Sequence, residues 1–252
     1  MKILDEQMER YSRNIMIKDI GVQGQLKLLN AKVLVIGVGG LGSPAVMYLA
    51  ASGVGTIGIA DPDKVALSNL QRQIIHHTKD LGRKKVFSAQ DKIQALNPDI
   101  AVHTYAEWIT SENISDIIAN LDYDFVLDCT DNLSAKFLIN DACVLAHKPF
   151  SHASIAQLMG QTFTYIPSPE TSCYRCMIPS PPPENAVLSS RKDGILGAIG
   201  GILGSIQATE TIKYITGVGE LLVNHMLFVD ANNMQFLKIR IHKNSKCPIC
   251  GR

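Results

Sequence analysis

Residues 32–61 read KVLVIGVGGLGSPAVMYLAASGVGTIGIAD, and the order of residue types in that stretch sets the fold. Val33 to Ile36 is an unbroken apolar run, as expected of a strand buried on both faces of a parallel sheet. Gly37-Val-Gly-Gly-Leu-Gly42 follows at once. Ser43 to Ser52 reads as a helix closed by Gly53, and Thr56 to Ala60 as a second strand. Strand, glycine turn, helix and strand in this order form a nucleotide-binding βαβ unit. Gly37 permits the tight turn, Gly39 and Gly40 let the backbone approach phosphate, and Gly42 allows close packing of helix on sheet. The helix N-terminus offers unpaired N–H groups and a favourable dipole to an anion. Asp61, 19 residues beyond Gly42, stands where a carboxylate accepts from ribose hydroxyls.

Alternation continues on the C-terminal side. Lys84 to Leu96 reads as a helix stopped by Asn97-Pro98, Ile100 to Tyr105 as a strand, Ser111 to Ala119 as a helix and Phe125 to Asp128 as a short buried strand. A helix over Asn132 to Ala146 and a strand over Phe150 to Ala153 complete the series. The pattern predicts a doubly wound, Rossmann-like α/β fold with a mostly parallel sheet. Gln161 to Ile166, Met226 to Ala231 and Gln235 to Ile241 look like strands without crossover helices, so an antiparallel extension is expected. Before the first strand, Asp5 to Ile20 carries apolar residues at helical spacing and predicts one helix ending near Gly21. Ile178 to Asp193 holds four prolines and reads as a loop, and a glycine-rich opening at Gly194 leads into a helix ending at Thr216. The expected organisation is a single domain over 1–252, with an N-terminal helical arm (1–30), a nucleotide-binding half (31–155) and a partner-binding and zinc half (156–252).

Bulk composition narrows the function classes. At 252 residues with 46% apolar content the chain can bury one sizeable core. A net charge of +1 supplies no basic field, so no nucleic acid is expected as a partner. Val33 to Ala60 lacks charge, yet seven glycines and Pro44 exclude a membrane span. The N-terminus turns charged within five residues, so no signal peptide is read there and a cytoplasmic location is expected.

The polar residues beyond Asp61 bear on the chemistry. The segment DPDKVALSNLQRQ, residues 61–73, adds Asp63, Asn69 and Arg72 without an amphipathic period. Lys84 and Lys85 open the next helix, where the dipole disfavours cations unless an anion is bound. Asp128-Cys-Thr-Asp-Asn132 ends a strand on the ligand-binding edge of the sheet. Asp131 admits two readings: a carboxylate bridged to polyphosphate by Mg²⁺, or an N-cap for the helix from Asn132. A NAD-dependent oxidoreductase shares the glycine loop and Asp61 but leaves Asn69, Arg72 and Lys85 unexplained. His76, His77, His103 and His147 fall in no catalytic constellation and read as core or surface residues.

Taken in order, RYSRN around Arg13, GVGGLG, Asp61-x-Asp63, SNLQRQ, Lys85, DCTDN, CYRC and CPIC resemble the adenylyltransferases that activate ubiquitin-like proteins, in particular the MoeB/ThiF/HesA family of molybdopterin-synthase and thiazole-biosynthesis enzymes. The resemblance covers nearly the whole chain. It implies an ATP site with Asp61 on the ribose, Asn69, Arg72 and Lys85 on phosphates, and Asp131, beside Asn132, on Mg²⁺. It further implies a homodimer in which Arg13 enters the partner subunit's site, and a small ubiquitin-fold substrate with a C-terminal Gly-Gly. A sulfurtransferase is a further expected partner. A C-terminal carboxylate is ionised at pH 7, so attack on the α-phosphate needs charge neutralisation and alignment rather than a general base.

Six cysteines divide into two C-x-x-C pairs, Cys173/Cys176 and Cys247/Cys250, and two single residues, Cys129 and Cys143, expected in the core. The pairs have the spacing of a four-thiolate structural zinc site. Closing the loop of 70 residues between Cys176 and Cys247 costs about 4 kcal/mol, against roughly 10–16 kcal/mol supplied by structural zinc. Many members of the family resembled carry a cysteine shortly after Glu-Asn-Ala in the loop following CYRC. Here Ser189 and Ser190 stand in that loop, and serine supplies no thiolate. The expectation is an enzyme that stops at the acyl-adenylate and leaves sulfur transfer to another protein.

Overall fold

The computed structural model describes residues 3–183 and 193–251. Eight strands form one sheet in the order β3-β2-β1-β4-β5-β6-β7-β8: β1 Lys32–Ile36, β2 Thr56–Ala60, β3 Ala101–Tyr105, β4 Phe125–Asp128, β5 Phe150–Ala156, β6 Met159–Tyr165, β7 His225–Asp230 and β8 Gln235–Arg240. β1 to β5 pair in parallel, with Val33 opposite both Ile57 and Phe125. The chain turns back at Gln157-Leu158, and β6 to β8 continue antiparallel. The Rossmann-like α/β architecture with an antiparallel extension is therefore present. Because the chain runs outward from β1 to β3 and then returns to β4, the topological switch lies between the C-terminal ends of β1 and β4, where such sheets bind ligands.

Alternation along the strands sends side chains to two cores. Val33, Val35, Phe125 and Leu127 point to one face, against α3 (Gly21–Asn30), α4 (Gly42–Ser52), α5 (Lys85–Leu96) and the helix Gly197–Thr216. Leu34, Ile36 and Val126 point to the other, against α6 (Ile114–Asn120), α7 (Leu133–Leu145) and α8 (Tyr174–Met177). Gly197–Thr216, here α9, lies against the glycine turn: a Cβ at Gly200 would sit 2.7 Å from the Gly40 carbonyl oxygen, and one at Gly204 only 2.2 Å from that of Leu41. None of the described helices is long and apolar enough to cross a membrane.

Two expectations fail in detail. The arm is not one helix over Asp5 to Ile20 but α1 (Asp5–Arg10) and α2 (Ser12–Ile15), with Gly21 opening α3 rather than closing a helix. Tyr11 causes the break. Its ring is buried against Gly53 and its hydroxyl accepts from Asn97 Nδ2 at 2.7 Å, and that inward turn takes its backbone to φ −99°, ψ 11°. The N-cap of α7 is Asn132, whose Oδ1 accepts from the Ala135 N–H at 2.8 Å, and not Asp131.

Candidate nucleotide site and thiolate centre

The glycine loop is held by backbone and carboxylate contacts. Gly37 has φ +94°, its N–H donates to Ala60 O at 2.8 Å, and a Cβ at Gly42 would lie 2.0 Å from the Gly37 carbonyl oxygen. Only glycine is tolerated at these two positions. Asp61 is buried, with Oδ2 accepting the Val38 N–H and Oδ1 the Asp63 N–H, each at 2.9 Å. Burial raises its pKa above the usual carboxylate value, although Lys85 and the two N–H donors pull the other way. Two of its roughly four acceptor positions remain for ribose hydroxyls.

The segment after β2 folds back over this loop, which is why the two sequence motifs work together. Arg72 Cγ and Cδ lie 3.5 Å from a Cβ position at Gly40, and Gln73 Nε2 lies 3.5 Å from one at Gly39. Asn69 ends a 3₁₀ turn and accepts the Ala66 N–H through Oδ1 at 3.1 Å, leaving its amide N–H groups free to donate. Arg72 Nη1 donates to Ser68 O at 3.1 Å. Lys85, the first residue of α5, is buried and donates to half-exposed Asp63 at 2.9 Å. This buried ammonium beside Asp61 and Asp63 is what the unfavourable cation at a helix N-terminus signalled.

Asp131 is exposed, one residue past the Cys129-Thr130 backbone that touches Gly37, and it has no hydrogen-bond partner among the described residues. An exposed carboxylate close to the glycine loop has the donor chemistry of a Mg²⁺ ligand. Arg13 stands elsewhere. Its neighbour Asn14 donates to Ser52 O, at the C-terminal end of α4, and Arg13 itself is exposed, with Met16 Sδ at 3.6 Å as its one partner among the described residues. Eleven helical residues, at about 1.5 Å each, separate that end from the glycine loop, so the structure does not bring Arg13 to its own chain's site.

Three buried groups near the site have contacts that the sequence does not assign. Gln73 is buried over the glycine loop with Oε1 lacking a partner. His76 joins the loop from beneath, with Nε2 3.1 Å from Val38 O. Asp128 is fully buried and accepts from Thr130, His152 Nδ1 at 2.8 Å and Lys136. Burial opposes its charge, but Lys136 and the hydrogen bonds outweigh that and hold its pKa below the usual range. Gln73 and Asp128 lie within the SNLQRQ and DCTDN motifs and His76 lies outside them, but only tertiary contacts reveal what each one bonds.

The four motif cysteines converge. Their sulfurs all lie within 4.8 Å of one another, with Cys173–Cys247 at 3.6 Å and Cys176–Cys250 at 3.4 Å. Four sulfurs at the ~2.3 Å zinc–sulfur distance would be spaced at about 3.8 Å, so the donor set fits tetrahedral Zn²⁺. The Cys173 thiol and the Asn244 N–H donate to Cys176 and pull it down to about 4. Arg175 anchors α8 by a bidentate pair to Asp141 at 2.6 Å and by lying over the Phe137 ring. Cys129 and Cys143 are buried in the core as expected, and burial pushes both thiols well above the usual range. Ser189 and Ser190 lie outside the described residues.

A sequence profile of the ThiF family matches residues 11–249. The chain belongs to the ThiF family. It is 39% identical over 255 residues to a sulfur carrier protein adenylyltransferase of Thermus thermophilus, across all of this chain and 93% of that one. It is 44% identical over 252 residues to the adenylyltransferase and sulfurtransferase MOCS3 of Drosophila willistoni, covering 99% of this chain and 55% of the relative. This ThiF-family chain thus spans a little over half the length of MOCS3. Among solved structures it resembles E. coli MccB with ATP, at a TM-score of 0.82 and 25% identity over 96% of this chain and 74% of MccB. No oxidoreductase stands among these relatives.

Proposed function

We infer that the chain adenylates the C-terminal carboxylate of a small ubiquitin-fold sulfur carrier ending in Gly-Gly. The carrying observation is that free donors of the glycine loop, Asp61, Asn69, Arg72 and buried Lys85 meet at one edge of the sheet, beside an unpartnered Asp131. ATP lays its phosphates along the glycine loop and α4 N-terminus, with the ribose on Asp61. The carrier carboxylate attacks the α-phosphorus, the bond to the bridging oxygen breaks, and pyrophosphate leaves as acyl-adenylate forms. Arg72 and Lys85 oppose the charge gathering on pyrophosphate, and Asp131 with Asn132 would hold Mg²⁺, which supplies further neutralisation of the phosphates. The relatives' names, MccB's ATP complex and this cation set support ATP chemistry over hydride transfer.

Pyrophosphate exchange into ATP tests the assignment. Exchange is expected with a Gly-Gly carrier and absent with one shortened by the last glycine; exchange indifferent to the carrier overturns it. Arg13 is assigned to the partner subunit's site in a homodimer, because its own chain holds it at the far end of α4. Arg13→Ala and Asp131→Asn subunits, each inactive alone, are then expected to regain part of the activity when mixed. The four cysteines are assigned to structural zinc, and the chain to the cytoplasm, where six unpaired thiols persist. Sulfur transfer is assigned to a separate sulfurtransferase, since Cys129 and Cys143 are buried and protonated. A reductant-sensitive covalent adduct of the carrier on any cysteine overturns that assignment.

A further inference from the structure

Beneath the glycine loop runs a hydrogen-bonded row whose proton positions are fixed by chemistry. Val38 O is a carbonyl and only accepts, so His76 Nε2, 3.1 Å away, carries the proton. His76 Nδ1 is then an acceptor, and Ser88 Oγ at 2.9 Å must donate to it. Ser88 in turn accepts from Lys92 Nζ at 3.0 Å, and Lys92 is paired with Asp80, which is wholly buried and also bonded to Arg83. A single tautomer of neutral His76 satisfies every member. Burial keeps the ring neutral at pH 7 by pulling its pKa down to about 4.

The row has a consequence on the far side of the loop. In a trans peptide the C=O and the next N–H point in opposite directions. Val38 C=O is drawn inward by His76, so the Gly39 N–H of the same peptide faces outward, where it has no acceptor among the described residues and Gly39 is partly exposed. Asp61 holds the other side of Val38 through its N–H at 2.9 Å. Two successive peptides are therefore fixed, Gly37–Val38 by Asp61 and Val38–Gly39 by His76, and the free Gly39 N–H faces the nucleotide edge.

We propose that His76 is a positioning residue: it sets the Val38–Gly39 peptide so that Gly39 N–H donates to the bound polyphosphate, and Ser88 with Lys92 fixes the tautomer this requires. The proposal rests on the nucleotide site assigned above. It adds a functional residue that lies under the loop and never touches ATP.

The test compares wild type, His76→Leu, His76→Gln and Ser88→Ala. It measures KM for ATP and kcat in pyrophosphate exchange, with ¹⁵N-histidine NMR of the protein without ATP. A hydrogen bond to a charged group is worth about 10- to 100-fold, so His76→Leu is expected to raise KM for ATP about tenfold or more. His76→Gln keeps an N–H where Nε2 stood and is expected to recover most of that loss. Ser88→Ala is expected to release the single-tautomer signature and raise KM a few-fold; it carries the test if His76→Leu does not fold. Wild type that binds ATP while folded His76→Leu, or Ser88→Ala in its place, shows the same KM overturns the proposal alone. So does a wild-type His76 protonated on Nδ1. Wild type that binds no ATP overturns the nucleotide site first, and the tautomer measurement then still judges the wiring by itself.

Discussion

Two glycines three residues apart on α9 are expected to respond with opposite sign to the same substitution. A Cβ at Gly204 would stand 2.2 Å from Leu41 O and 2.7 Å from Pro44 Cγ, whereas one at Gly201 meets nothing within 4 Å. Carbon and oxygen normally approach no closer than about 3.3 Å, so Gly204→Ala must push α9 and α4 apart by roughly 1 Å. Overpacking of that kind costs about 1–3 kcal/mol, only partly offset by alanine's helix preference of about 1 kcal/mol over glycine. The net cost of up to about 2 kcal/mol corresponds to a fall in Tm of up to about 8 °C at this chain length. Gly201→Ala keeps the helix gain without the clash, so Tm should rise by about 1–3 °C. The displaced Leu41 and the neighbouring Gly40 carry the shift into the nucleotide loop, so Gly204→Ala should also weaken ATP binding while Gly201→Ala leaves it in place. Thermal unfolding with and without ATP reads both effects. Equal stability of the two variants would refute the close approach of α9 to the loop.

Stripping metal with a chelator should release the C-terminal segment, seen as lost amide-exchange protection at 173–177 and 244–251; zinc should restore it in wild type but not in Cys176→Ser. Stability should fall as pH drops from about 6.5 toward 4, because the unfolded chain protonates His76 near its ordinary pKa while the folded chain resists until about 4. The loss is up to about 3 kcal/mol from this residue, His152 adds in the same direction because burial lowers it too, and urea unfolding of His76→Gln should show a flatter profile between pH 7 and 5. Asp131→Asn should lower exchange activity at least tenfold and raise the Mg²⁺ concentration needed for half-maximal rate, with unfolding unchanged because the side chain is exposed and unpartnered.

What the sequence made legible, and what it hid, divides along one physical line. β1, β2 and β4 could be read because strands buried on both faces are apolar throughout, and the glycine loop because backbone crowding at Gly37 and Gly42 excludes every side chain. Lys85 stood out because a cation at a helix N-terminus calls for an anion, and the structure supplies one in Asp63. Each of these signals lies within one element and its neighbour. Tyr11 was misread because its apolar character fits a helical stripe, while its hydroxyl is claimed by Asn97, 86 residues away. His76 was passed over for the same kind of reason. A histidine in a segment without period says nothing until Val38 of the glycine loop and Ser88 and Lys92 of α5 close around it.

That distinction bears on which residues set rate in this site. Groups suited to hold phosphate or its counter-ion leave marks in local sequence: glycines where a chain must approach, cations and amides in a segment without period, carboxylates at strand ends. Groups that hold those donors in place work through buried, neutral hydrogen bonds, for which burial is the requirement and residue type only a constraint. His76 is of this second kind, since it is polar, buried and hydrogen-bonded to the glycine loop. A donor misaimed by a fraction of an ångström loses most of a charge-assisted hydrogen bond. On the proposed role of His76, activity depends on the row from Asp80 to Val38, although no single stretch of sequence announces it.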